Sequence, residues 1–187
     1  MSAPERTTEI LEGARDAFTG ALGVMDNDHR EIHEGKSFSV IGNTGSLAAA
    51  AVYVVTLLTP VASAGKYIHL RPAKLLSTAN LLAVQVYEGT SSTDGSAYIP
   101  INRNRNSSNL AGTVVTVGVA NPVYGTIVGQ DGAGAAGTGN ASGGSAGGTQ
   151  EIVLKPGTLY LVKFTNIGAA TATTGYFDLP FYEESRG

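Results

Sequence analysis

Short runs of alternating apolar and polar residues fill the chain from Lys36 onward, and Gly, Pro, Asn or Ser residues separate them. An apolar–polar period of two predicts strands. The predicted strands are residues 37–41, 51–59, 66–71, 81–88, 98–101, 113–119, 123–128, 152–154, 160–165 and 176–182. Since no convincing helical periodicity occurs in this region, the pattern favours an antiparallel β-sandwich or barrel over a parallel βαβ sheet.

Residues 149–166 contain the clearest turn signal in the chain. Two apolar runs are separated there by Lys155-Pro156-Gly157-Thr158. Pro fixes φ at the second position of a turn, and Gly tolerates a positive φ at the third, so these four residues predict a type II turn. The two runs therefore form either a hairpin or a sharply cornered pair of strands.

Residues 2–24 give the one helical signal: Ser2 and Glu5 have the spacing of a capping box, and apolar residues recur near the helical period. The apolar stripe is narrow and glycines inside it weaken the helix, so we expect this arm to need a surface on which to pack. The arm either caps its own domain or reaches a neighbouring subunit or partner. Its expected contact residues are Ile10, Leu11, Phe18 and Leu22.

The chain divides into a helical arm with a polar connector, residues 1–32, and a β-sandwich, residues 33–187. A segment rich in Gly, Ala and Ser, residues 131–149, interrupts the strand series. Because such a composition cannot bury a core, we expect a surface loop that is disordered or weakly ordered.

Composition excludes several kinds of function. The net charge of −3 gives no electrostatic footprint for a nucleic acid backbone. The absence of cysteine excludes disulfides and thiolate chemistry. No apolar run is long enough to span a membrane, and the charged N-terminal residues are not typical of a secretory signal. We therefore expect a soluble protein, made in the cytoplasm, that binds neither nucleic acid nor membrane.

Two Gly-rich motifs resemble nucleotide-binding loops but lack the context that binding requires. Residues 132–137 match G-x-G-x-x-G, yet no helical pattern follows whose N-terminus could receive a pyrophosphate. Residues 42–46 lack the lysine of a phosphate-binding loop and predict a turn. We expect no cofactor at either motif.

The histidines do not form a recognisable metal or catalytic motif. His29 and His33 are four residues apart, but Arg30 stands where a zinc protease has its glutamate, and no third ligand is evident. We expect this pair to lie in a solvated connector, residues 25–34, without a metal. His69 is predicted to lie at the surface or at an interface. Most acids lie in the arm and the tail, so we expect no enzymatic activity.

Residues 102–108 form the densest polar stretch of the sandwich region. In a strand, alternation would place Arg103 and Arg105 on one face and the asparagines on the other. The stretch is either a solvated strand end and turn, or it presents two guanidiniums to carboxylates of a neighbouring subunit.

Four segments carry a resemblance to a known family. They are His33-Glu34-Gly35 followed by Phe38; Asn104-Arg105-Asn106-Ser107; Leu154-Lys155-Pro156 continuing through Thr158, Tyr160 and Leu161 to Thr165-Asn166; and Phe181-Tyr182-Glu183-Glu184. Over residues 33–184 the chain resembles tailed-bacteriophage structural proteins with a jelly-roll domain, in the head decoration (cement) class. The arm and the Gly-rich segment are not part of the resemblance.

The resemblance implies an antiparallel jelly-roll-like β-sandwich in a non-enzymatic virion protein, commonly a homotrimer. Such a protein sits on the outer capsid surface and cements neighbouring major capsid protein subunits. We expect the arm residues, with Arg103 and Arg105, to contact these partners. The alternative is a receptor- or carbohydrate-binding module of a tail fibre or spike, although sugar sites usually present aromatic platforms and the chain has no Trp.

Overall fold

The computed structural model describes residues 27–71, 73–133, 151–168 and 171–185, which form one short α-helix and two antiparallel sheets packed as a sandwich. The helix is α1 (Asn27–His33), and the strands are β1 (Ser37–Leu47), β2 (Val52–Leu58), β3 (Lys66–Leu70), β4 (Lys74–Ser77), β5 (Leu82–Glu88), β6 (Ser96–Tyr98), β7 (Ile101–Asn102), β8 (Val114–Val117), β9 (Thr126–Ala133), β10 (Ile152–Leu154), β11 (Leu159–Asn166) and β12 (Thr173–Ser185). The all-β sandwich expected from the strand pattern is confirmed.

Strand pairing follows a nested order. The strand pairs are β1 with β12, β2 with β11, β3 with β10, and β5 with β9. The full order is β10-β3-β12-β1-β7 in sheet 1, with β4 also on β12, and β6-β8-β2-β11-β5-β9 in sheet 2. Within them lie the four-strand orders β10-β3-β12-β1 and β2-β11-β5-β9, which is how a jelly roll wraps a chain into two sheets.

The core lies between the sheets, where inward-facing side chains of the two layers meet. Along β11 the alternate residues Tyr160, Val162 and Phe164 are at most 1% exposed. The Phe164 ring stacks on Phe177 of β12, with ring centroids 4.6 Å apart. Since β11 belongs to sheet 2 and β12 to sheet 1, this aromatic contact joins the layers. Burial of such large side chains is the main source of stability in a chain without cysteine.

The Lys155–Thr158 segment is a corner between sheets. β10 lies in sheet 1 and β11 in sheet 2, so the cornered pair is observed and the hairpin alternative is wrong. Gly157 has a φ of 61°, as the third position of a type II turn requires. The buried Thr59 hydroxyl donates to the Lys155 carbonyl at 2.7 Å and accepts the Thr158 N–H at 2.9 Å. The side chain of Thr59, the residue after β2, therefore fixes the corner.

Tyr160 completes this corner, and its removal provides a stability test. Its hydroxyl accepts the Lys155 N–H at 2.8 Å and donates to the Glu88 carboxylate at 2.8 Å. Burial and the Glu88 contact raise the pKa of Tyr160 to about 12. We expect Tyr160→Phe to lower the free energy of unfolding by about 1.5 kcal/mol, because the Lys155 N–H loses its side-chain acceptor and the Glu88 carboxylate loses one of its two donors. Urea unfolding measures this, and Tyr176→Phe, at an exposed tyrosine, should change it by less than about 0.5 kcal/mol.

Two segments expected as turn or loop are strand. Residues 42–46 lie within β1, where the register with β12 shifts between Asn43 and Ser46 and Gly45 has a φ of 64°. The residues expected to form a turn there form a β-bulge within the strand. β9 extends to Ala133, so residues 131–133 of the expected loop are strand, and Gly132 pairs with Ala83 in a ladder instead of opening a helix.

Other expected boundaries also change. β4 was not predicted, and the expected strand 98–101 divides into the end of β6 and the start of β7. Most of the expected connector 25–34 is the helix α1. Residues 134–149 of the Gly-rich segment lie outside the described residues, as do residues 1–26 with the predicted contacts Ile10, Leu11, Phe18 and Leu22.

Candidate functional site

An exposed row of apolar side chains crosses the outer face of sheet 1. Core residues on β1 and β12 point inward, and the residues next to them point outward. Leu76 of β4 lies directly opposite Tyr176 of β12. Ile41 of β1 and Ile101 of β7 continue the row at diagonal positions. Diagonal neighbours lie about 7–8 Å apart, within reach of large side chains. We call these four residues the outer stripe.

The outer stripe is accessible and rigidly held. Ile41, Tyr176, Leu76 and Ile101 are 50, 48, 45 and 37% exposed. The Tyr98 hydroxyl donates to the Ile41 carbonyl at 2.9 Å and accepts the Ile41 N–H at 3.2 Å. These bonds satisfy the backbone of β1 beyond Ser39, which pairs with Ile101 at the start of β7. A contiguous apolar row on a solvated sheet face is typical of a protein-binding surface.

Arg103 lies on the same face as the outer stripe. It follows β7, its backbone N–H donates to the Ser37 carbonyl at 2.9 Å, and its guanidinium contacts the Ser37 hydroxyl at 3.3 Å. Arg105 is exposed, and its guanidinium donates to the Asn102 carbonyl at 3.4 Å. The strand alternation considered for this pair is wrong, since β7 ends at Asn102 and both arginines lie in the following turn.

Asparagine side chains hold this arginine turn in place. The Asn102 amide donates to the carbonyls of Gly35 and Asn109, both at 3.0 Å. The Asn104 amide donates to the His33 carbonyl at 3.0 Å. The turn is therefore tied to the residues that connect α1 with β1. Sequence reasoning singled out the arginines and missed this positioning role of the asparagines.

A polar cluster occupies the other end of the same sheet face. The Glu151 carboxylate accepts the Tyr182 hydroxyl at 2.7 Å, lies 2.6 Å from His69 Nδ1, and lies 3.3 Å from Arg71 Nε. The His69 ring stacks on Tyr182 with centroids 4.4 Å apart. Glu184 lies 3.4 Å from His69 Nε2. His69 is thus part of an internal ionic cluster, which secures the short edge strand β10 to β3 and β12.

Titration of Glu151 gives a testable pH dependence. Burial raises the pKa of Glu151, but hydrogen bonds from Tyr182 and His69 and the charge of Arg71 outweigh it, so the pKa lies below the ordinary 4.5. Around this pH, Glu151 therefore binds fewer protons in the folded chain than in the unfolded chain. The resulting stability is present above the ordinary pKa of 4.5 and is lost as the pH falls through the lower pKa of the folded state. Burial and the Glu151 contact raise the pKa of the Tyr182 hydroxyl.

When the pH is lowered from about 6 to about 3, we expect the free energy of unfolding to fall less in Glu151→Gln than in the wild type. Urea unfolding at several pH values in this interval measures the loss. Identical pH dependence of the two proteins would contradict the assignment of this carboxylate as a source of acid sensitivity.

A crevice of about 150 Å³ lies between β9 of sheet 2 and the β3–β10 side of sheet 1. Its apolar lining includes Val84, Val162 and Leu179, and its polar lining includes Arg71 and Asp131. Arg71 is already engaged by Glu151. The lining brings together no nucleophile with a base, so the crevice has room for an apolar group and lacks the arrangement of a catalytic centre.

Within residues 27–71, 73–133, 151–168 and 171–185, no three or more His, Cys, Asp or Glu side chains are grouped so as to hold a metal ion. No helix in that part of the chain has the length and apolar character that a membrane crossing requires.

Comparisons with protein-family models, with curated proteins and with solved structures gave no match for this chain.

Proposed function

We propose that this chain is a virion structural protein of the phage head decoration class. It acts without catalysis, as a homotrimer on the outer capsid surface, and cements neighbouring major capsid protein subunits. The observation that carries the proposal is the outer stripe, in which four large apolar side chains cross four strands on one solvated face. A jelly roll that presents such a face suits attachment to another protein surface.

Two further features support attachment through this face. Arg103 lies beside the outer stripe on the Ser37 end of β1. A guanidinium at the border of an apolar patch can pair with a partner carboxylate in a forked geometry that orients the contact. The N-terminal arm, with Ile10, Leu11, Phe18 and Leu22, supplies a second apolar contact to the capsid or to a neighbouring copy. On a symmetric lattice, many contacts that are weak individually add up to a strong attachment.

Binding of purified variants to capsids stripped of the chain tests the proposal. We expect Ile41→Lys and Tyr176→Lys each to weaken binding by about tenfold or more, because a lysine charge would enter a desolvated contact. Ile127→Lys is the matched control: Ile127 is 49% exposed on β9 of sheet 2 and should leave binding unchanged. Wild-type binding by both stripe variants would overturn the proposed surface. Unchanged capsid occupancy after deletion of residues 1–24 would overturn the role of the arm.

The receptor- or carbohydrate-binding alternative is tested with the wild type and one further variant, Tyr124→Ala. Tyr124 lies outside the strands and is 41% exposed, and the Lys163 amine lies 5.0 Å from its ring centroid. A sugar platform needs an uncovered aromatic face, and this amine stands over the ring. Glycan-array binding that disappears in Tyr124→Ala, together with capsid binding that is absent in the wild type, would favour the alternative.

A further inference from the structure

The helix α1 brings two imidazoles into direct contact. His29 and His33 lie one turn apart on the helix, and both are exposed. Their Nε2 atoms are 3.0 Å apart, and their ring centroids are 4.5 Å apart with an interplanar angle of 68°. One ring therefore donates an N–H to the other. In the tautomer that carries the ring proton on Nδ1, each Nε2 has a free lone pair for a metal ion, and the two Nε2 atoms are close enough together to share one ion.

The separation of the two nitrogens suits a shared metal ion. Metal–nitrogen bonds to imidazole are about 2.0–2.1 Å long. Two nitrogens 3.0 Å apart, each at that distance from one ion, subtend roughly 95° at the ion. This angle lies between the values for adjacent ligands in octahedral and tetrahedral coordination. A side-chain movement of a few tenths of an ångström covers the remaining difference.

We propose that His29 and His33 form a two-ligand site for a divalent transition metal ion that prefers imidazole, such as Zn²⁺, Ni²⁺ or Cu²⁺. Water fills the other coordination positions, because the two acids of this region whose side chains the structure describes are engaged elsewhere: Glu31 is 1% exposed and contacts Arg30, and Glu34 pairs with Lys36. Ca²⁺ and Mg²⁺ are disfavoured, since they prefer oxygen ligands. The site is separate from the outer stripe and does not depend on the capsid role.

The local fold stabilises this geometry. A helix of seven residues is marginal by itself. Gly35, two residues after the end of α1, has a φ of 68° and donates its N–H to the Ile32 carbonyl at 3.0 Å. The Asn104 amide donates to the His33 carbonyl at 3.0 Å. The backbone that carries the two histidines is thus held before any metal arrives, which reduces the ordering cost of binding.

Isothermal titration of the full chain with ZnCl₂ and with NiCl₂ tests the site. We expect one bound ion in the wild type, and binding weaker by about tenfold or more in both His29→Gln and His33→Gln, because each loses the advantage of two linked ligands. His69→Gln is the matched control: that ring is engaged by Glu151, and its loss should leave the affinity unchanged.

Thermal melting of each variant without metal checks that the fold is retained. Since both helix histidines are exposed, their replacement should leave the melting temperature close to that of the wild type. Absence of binding by the wild type, or equal affinity of the wild type and the two single variants, would overturn the proposal.

Discussion

Glu183→Gln is expected to lower the free energy of unfolding by about 3 kcal/mol, because it disrupts a buried carboxylate with several donors. The Glu183 side chain is 2% exposed. One carboxylate oxygen accepts the Thr113 N–H at 2.8 Å and the Thr113 hydroxyl at 2.9 Å. The other accepts the Gly112 N–H at 3.0 Å and the Lys66 amine at 2.6 Å.

Glutamine preserves the shape of Glu183 but not its acceptors. In either orientation, the NH₂ group of the new side chain faces N–H donors, and the charge opposite Lys66 is lost. Glu183 lies on β12 of sheet 1, whereas Thr113 directly precedes β8 of sheet 2. The substitution therefore weakens a link between the two sheets.

Urea unfolding measures the effect of this substitution, and Glu184→Gln is the matched control. The neighbouring Glu184 is 40% exposed on the opposite face, and its partners, His69 Nε2 and the Arg30 guanidinium, lie 3.4 Å and 3.9 Å away. Its loss should cost less than about 1 kcal/mol. Equal destabilisation by the two substitutions would show that Glu183 is not the link inferred from its contacts.

Asn166→Ala is expected to be comparably destabilising, by about 3 kcal/mol. Asn166 is fully buried at the end of β11. Its amide donates to the carbonyls of Leu47 and Thr171, both at 2.9 Å, and its side-chain oxygen accepts the Gly168 N–H at 3.0 Å. Alanine would remove all three hydrogen bonds at a fully buried position, although the Thr171 carbonyl would still accept the Asn80 amide.

Asn106→Ala is the matched control for this asparagine, because Asn106 is exposed in the turn after β7. Its replacement should change stability by less than about 0.5 kcal/mol. If thermal or urea unfolding of Asn166→Ala were as close to wild type as the control, the ends of β1 and β11 would have to be held together by other contacts.

The strands and the sandwich could be predicted because local patterns determine them. In β11, the apolar run of residues 159–162 followed by Phe164 predicts a strand, and Tyr160, Val162 and Phe164 are core residues. The Pro156-Gly157 pair marks the corner, although sequence alone does not distinguish a hairpin from a corner. The distinction depends on Thr59 and other residues distant in the chain, and local patterns carry no information about such pairings.

The helix α1 was missed because seven residues without an apolar stripe give no periodic signal. Gly35 was the available clue, since a glycine with positive φ commonly follows the end of a helix. β4 was missed for a similar reason: four residues are too few to establish a period. Tertiary contacts, not propensity, hold both elements.

The sequence also contains a signal for the outer stripe. Val40-Ile41 and Tyr176-Phe177 are apolar pairs inside otherwise alternating strands. In a strand, one member of each pair must point away from the core. These pairs indicated an apolar outer face, but only the register of β1, β4 and β12 shows that Ile41, Leu76 and Tyr176 form one row.

The most direct test of the cementing role is the copy number of this chain in purified virions, measured by quantitative mass spectrometry against the major capsid protein. A protein that bridges capsid subunits across the lattice must be present in comparable number, and we predict such a count. A count far below that of the major capsid protein would contradict the cementing role and assign the chain to the tail or to a single vertex.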